Sequence, residues 1–211
     1  MRKRLWLLLL ALCLAGPATA TSLDAARTGA EMGRVSVVRD YLDEGGAIDA
    51  LDFRGSTLLI QAARNGQTEV VALLLARGAN PALHSSAGES AIALAAMNGH
   101  LDTVDAFIAA RAPLEIPNAW SPLHYAAYMG HERIVQRLLA AGARVDARAD
   151  NGATALMLAA RGGYLAIVEQ LLVAGADITL RSDRGLTPLG WALANDRAEV
   201  AARLRRAGAA D

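Results

Sequence analysis

The chain has 211 residues, 21 basic and 21 acidic side chains, 54% hydrophobic and 4% aromatic residues, and a single Cys. The aliphatic richness excludes a disordered chain, and the glycine spacing and lone Cys exclude collagen-like and disulfide-stapled classes. Balanced charge argues against a general nucleic-acid binder, and the length fits one domain or one elongated array.

The first element is a leader. Arg2, Lys3 and Arg4 precede an apolar stretch from Leu5 to Ala15, and Ala18-Thr19-Ala20 presents small residues for cleavage. The stretch is shorter than the roughly 20 residues a spanning helix takes, and Pro17 breaks it. Cys13 follows Leu12, whereas a lipid-modified Cys follows a small residue. The expectation is a secretory signal over 1–20, cleaved after Ala20, giving a periplasmic or secreted protein with no stable membrane anchor. Cleavage would remove the only Cys and the only Lys, leaving 18 Arg against 21 acids. Such a chain needs no redox chemistry to fold in an oxidising compartment.

Past the leader the sequence repeats itself. Thr57, Ser90, Ser121, Thr154 and Thr187 share one position; Gly66, Gly99, Gly130 and Gly163 share another, with Asp196 fifth. Gly78, Arg111, Gly142, Gly175 and Gly208 form a third series. The step is 33 residues except between the second and third units, where it is 31. An N-terminal cap, 21–51, precedes the first unit, 52–84; the second, third and fourth units are 85–117, 118–148 (two residues short) and 149–181, and the last, 182–211, is a C-terminal cap.

Each unit predicts two helices. The Ser or Thr caps the first helix, and Pro122 and Pro188 follow at a position where a missing N–H costs nothing. A central Ala pair keeps that helix thin, and Gly ends it in a left-handed conformation. In the second helix, Val70-Val71 with Leu74-Leu75, Ile134-Val135 with Leu138-Leu139, and Ile167-Val168 with Leu171-Leu172 fall on one face. Helices this short are marginal alone, so the units are stable only as a stack. Asp24, Arg27, Glu31 and Arg34 make the N-terminal cap polar, and residues 26–35 hold about one extra helical turn. Arg205 stands where earlier units have Leu, as suits a polar end.

These motifs resemble the ankyrin repeat. Ser121-Pro122-Leu123-His124-Tyr125-Ala126-Ala127 matches its first helix best, and Gly78-Ala79-Asn80 and Gly175-Ala176-Asp177 match its close. The match is good over 52–211 and looser over 22–50. The resemblance implies an all-α solenoid of helix-turn-helix units joined by β-turn or hairpin loops. It makes His124 a structural histidine that bonds between adjacent loops, and gives His100 and His131 a common place after the helix-ending Gly.

Little in the sequence points to chemistry. No H-E-x-x-H motif occurs, and a solenoid keeps distant histidines apart. Gly88-Glu89-Ser90-Ala91-Ile92 lacks the closing Gly of a nucleophile elbow, and Ser90 sits at the capping position. The expectation is a non-enzyme without metal or cofactor, acting as a monomer.

The resemblance implies that a protein partner lies on the concave side, formed by loop tips and by residues just before the helix-ending Gly. The expected contacts are Arg64, Met97, Trp120, Tyr128, Met129, Arg148, Arg161 and Arg181. Trp120, Tyr128 and Met129 are expected to be exposed, and Tyr125 to be more buried; the alternative for Trp120 is that it fills the space left by the two missing residues, as Pro113 and Pro117 in that departing hairpin suggest. Aromatic residues and Met concentrate at interface cores. Residues 21–110 carry 6 Arg against 11 acids, and residues 111–211 carry 12 Arg against 10. Arg on the later concave positions suits carboxylates, which gives an expected partner with an acidic patch; a high-GC genome accounts equally for Arg in place of Lys.

Overall fold

The computed structural model describes residues 21–115 and 119–210; the expected leader lies outside them. Twelve helices are described, in pairs. The first helices of the pairs are α1 (Leu23–Met32), α3 (Leu58–Arg64), α5 (Ala91–Met97), α7 (Pro122–Met129), α9 (Ala155–Gly162) and α11 (Pro188–Leu193). The second helices are α2 (Val35–Asp43), α4 (Thr68–Ala76), α6 (Leu101–Ala109), α8 (Glu132–Ala140), α10 (Leu165–Val173) and α12 (Ala198–Arg206). First helices pack on first helices of neighbouring units, and second on second, which makes two layers. Helix α1 is 10 residues long and α3 is 7, in line with the extra turn expected at the N-terminus.

Local chemistry sets the helix starts. Ser22, Thr57, Ser90, Ser121, Thr154 and Thr187 each accept a bond from the backbone N–H three residues on. The Ala62-Ala63, Ala95-Ala96, Ala126-Ala127 and Ala159-Ala160 pairs are wholly buried, so neighbouring first helices approach closely. Val70, Leu74, Phe107, Leu138 and Leu171 fill the space beneath. Each such side chain contributes about 1.5–3 kcal/mol of burial.

Four loops are hairpins closed by a β-turn. Asp52, Ser85, Ala149 and Ser182 each pair N–H to the carbonyl four residues on, at 2.9–3.0 Å. His84 and Ser90 form the one antiparallel bridge among the described residues. Neighbouring tips are also tied: Asp183 N–H donates to the Asn151 carbonyl at 3.1 Å.

A further lock joins the units. The residue after each helix-ending turn reaches back to the preceding first helix. Gln67 donates to the Glu31 carbonyl (3.0 Å), His100 to Arg64 (3.1 Å), His131 to Met97 (3.0 Å) and Arg197 to Arg161 (3.1 Å). Tyr164 takes the remaining place with its ring over Gly130, where φ is 82° and an added methyl would lie 2.7 Å from the ring. On the second-helix layer, Arg77–Asp43 (2.8 Å), Arg137–Asp105 (3.4 Å) and Arg203–Glu169 (3.5 Å) cross between units. These exposed pairs each contribute under about 1 kcal/mol.

At two turns the repeat's Gly is missing, yet the backbone keeps its left-handed shape. Arg111 has φ 56° and Asp196 has φ 57°. That conformation costs an L-residue about 1–2 kcal/mol, and Asp tolerates it better than Arg. Arg111→Gly is therefore expected to raise stability by about 1 kcal/mol, with a smaller gain for Asp196→Gly. Denaturant unfolding checks this; a midpoint that falls in Arg111→Gly would contradict it.

Candidate functional site

Four register rows recur along the first helices and hairpins, some of their residues buried and some reaching the surface. The residue before each helix cap is Ser56, Glu89, Trp120, Ala153 or Leu186; four after the cap stand Gln61, Leu94, Tyr125, Leu158 and Trp191. Seven after it stand Arg64, Met97, Tyr128, Arg161 and Ala194, and eight after it Asn65, Asn98, Met129, Gly162 and Asn195. The large side chains therefore gather on the third unit and its neighbours.

Trp120 is the hub. Its ring centroid lies 5.2 Å from that of Tyr125 and 5.4 Å from that of Tyr128, the latter edge-on at 81°. Both are within the range of favourable aromatic pairs. Trp120 also packs on a small buried cluster of Ala153, Met157 and Leu158 in the fourth unit, and Trp191 packs on the same cluster. Between Tyr128 and Trp191 stands Arg161, its guanidinium carbon 5.8 Å from one ring centre and 5.6 Å from the other. Each contact is close enough for cation–π attraction. Met97, Trp120, Tyr125, Tyr128, Met129 and Arg161 together line a groove of about 420 Å³. Tyr128 is 39% and Met129 45% exposed.

Beneath this groove lies His124, 1% exposed. Its Nδ1 accepts from Ser121 N–H at 3.1 Å, and its Nε2–H points at the carbonyls of Ala147 (3.0 Å) and Ala153 (3.2 Å). With the Ser121 hydroxyl accepting from His124 N–H, this closes a capping box. Burial holds the His124 pKa below its ordinary value, although the two carbonyls and Asp150 pull the other way. Burial, with Glu89 and Asp150, raises the pKa of Tyr125, so its phenol stays neutral. The face offers aromatic surface, thioether and guanidinium. Among the described residues no group of three His, Cys, Asp or Glu could hold a metal ion, and no helix is long and apolar enough to cross a membrane.

A family profile described as "Ankyrin repeats (3 copies)" matches residues 24–118, 59–149, 92–182 and 123–210. The chain belongs to the ankyrin repeat family. Among solved structures it is similar to one recorded as a predatory endopeptidase from Bdellovibrio bacteriovorus in complex with an immunity protein. The TM-score is 0.79 at 28% identity, over 88% of this chain and 98% of the matched one. An ankyrin repeat domain from Acinetobacter baumannii AYE matches with TM-score 0.78 at 30% identity, over 88% and 98%. The Arabidopsis thaliana E3 ubiquitin-protein ligase XBAT32 is 30% identical over 159 residues, covering 59% of this chain and 31% of that protein. The chain spans about a third or less of the first curated relatives it matches.

Within this ankyrin array the expected contact residues separate. Met97, Trp120, Tyr128, Met129 and Arg161 come together in one groove. Trp120 is half-buried, not exposed as expected, because its indole covers the Ala153–Leu158 cluster. Arg64 lies outside that groove, in a neighbouring one beside Glu89 (3.8 Å). Arg148 and Arg181 are exposed on the hairpin tips but spend their guanidiniums on backbone. Arg148 donates to the Arg181 carbonyl (2.8 Å), and Arg181 to the Gly185 carbonyl (2.7 Å). Neither lines the aromatic groove. Trp191 was not anticipated; it occupies the Tyr125 position of the last ankyrin unit, and that register was the signal for it.

Proposed function

We propose that this protein is an exported, non-catalytic scaffold whose concave ankyrin face binds and neutralises a partner protein. Ankyrin repeats are protein-interaction scaffolds, and the observation that carries the reading is the groove of Trp120, Tyr128, Met129 and Arg161. It places aromatic anchors and a cation on adjacent units, as an interface core requires. The neutralising role draws on the similarity to a structure of an endopeptidase with an immunity protein, nearly the whole of whose matched chain this one covers. The partner on this reading is a secreted or periplasmic enzyme with an acidic patch. The leader of residues 1–20 delivers the scaffold to the same compartment.

Crosslinking in intact cells, followed by mass spectrometry of what is caught, tests this. The expected catch is a co-exported hydrolase whose activity falls when the scaffold is added. A cytosolic catch, or a partner whose activity is unchanged, would overturn the role. N-terminal sequencing of the exported chain should begin Thr21-Ser22; a chain that keeps Trp6 refutes the cleavage.

A further inference from the structure

A second groove, of about 430 Å³, adjoins the aromatic one and shares Arg161 with it. Arg184, Trp191, Asn151, Asn195 and Asp183 also line it. Neither Arg161 nor Arg184 has an ion pair among the described residues, whereas Arg27, Arg64, Arg77, Arg137 and Arg203 do. Asp183 does not neutralise them by pairing. Its carboxylate lies over Gly152, on the side where the Arg148 guanidinium also sits. A second orphan stands at the same place. The indole N–H of Trp191 is buried and has no hydrogen-bond partner. An unmet buried donor is costly, so an arriving acceptor gains by meeting it.

We infer that this groove is a carboxylate seat, and that the partner enters as an extended acidic segment with its neighbouring apolar side chain in the Trp120–Tyr128–Met129 groove. This rests on the concave face being the binding face. Arg161 supplies a guanidinium within 6 Å of the Tyr128 and Trp191 rings, Arg184 supplies a second, and Trp191, whose indole N–H is unmet, lines the same groove. A carboxylate is the acceptor that two unpaired guanidiniums favour, through charge-assisted bonds. Arg161 lies within 6 Å of both rings, so the two grooves are about two or three residues of extended chain apart, at roughly 3.3 Å per residue.

The probe is a library of short immobilised peptides in which Leu, Phe or Trp stands two or three positions from Asp or Glu. Each is matched by its Asn or Gln isostere, and the purified protein is offered to both. Retention should fall about tenfold on the isosteres, the scale of one charge-assisted bond, and should weaken with salt. Arg184→Gln should shrink the difference between acid and amide, and Arg161→Gln with Arg184→Gln should abolish it. Trp191→Phe, which keeps the ring and loses the N–H, should reduce it. Tyr128→Ala should lower retention of acid and amide peptides alike. A library with no carboxylate-dependent binder, or an acid preference that survives Arg161→Gln with Arg184→Gln, overturns the seat. Apolar-dependent binding that Tyr128→Ala removes would then leave the concave reading standing. Peptide binding untouched by all four variants would remove both.

Discussion

His124→Ala is expected to destabilise the protein by about 3 kcal/mol, the largest effect of any polar substitution on this face. The change removes the imidazole from between Ser121 N–H and the carbonyls of Ala147 and Ala153, leaving the buried Ser121 N–H and Ala147 carbonyl unmet, while the Ala153 carbonyl keeps its bond from Ala149 N–H. Each such group costs about 1–3 kcal/mol. His124→Gln should cost less, since Gln can also close a capping box. The pH dependence follows from the lowered pKa. The folded state favours the neutral ring, so the unfolded state binds the proton more readily. Stability is therefore full above the ordinary histidine value of about 6.5 and falls as pH drops from there through the lower folded value. Denaturant unfolding at pH 7.5 and pH 5.5 should show this loss in the wild type and a smaller one in His124→Gln. Equal losses in both proteins would remove His124 as the cause.

The second large effect is on binding. Tyr128→Ala should weaken the captured partner by about 2 kcal/mol or more, roughly thirtyfold, if the ring is a central anchor. The fold should survive, because Tyr128 is exposed and its neighbours Ala126 and Ala127 carry the packing of α7. Trp120→Ala should cost stability as well as affinity, since its indole covers the Ala153–Leu158 cluster. Circular dichroism beside the affinity measurement separates the two variants. Wild-type affinity in Tyr128→Ala would move the interface off this groove, and loss of helical signal would place the ring in the core.

Much of this architecture was legible because it is written in local chemistry. A Thr or Ser cap acts on an N–H three residues away, so Thr57, Ser90 and Ser121 declare helix starts without knowledge of the rest of the chain. The register of the turns was legible even at Arg111 and Asp196, where the repeat's Gly is missing, and the structure shows that the backbone there keeps the left-handed shape. The site was read less fully, since its contacts run between units. Nothing local to Arg148 says that its guanidinium will bond the Arg181 carbonyl in the next unit. Nothing local to Trp191 says that its ring will face Arg161. Gln67, His100 and Arg197 differ in kind, and only their shared register reveals that they make the same backward bond.

The two tryptophans that flank the fourth unit have a spectroscopic consequence. With Trp6 lost along with the proposed leader, all indole emission comes from Trp120 and Trp191, in the third and last units. An array whose units touch only their neighbours can melt in parts. Emission would follow the C-terminal half alone, while far-ultraviolet dichroism follows helices from α1 to α12. Where the two melting curves coincide, the chain unfolds as a single unit. Where dichroism falls first, the acidic N-terminal half is fraying while the aromatic groove stays assembled, and the protein would keep its grip on a partner after part of it has come undone.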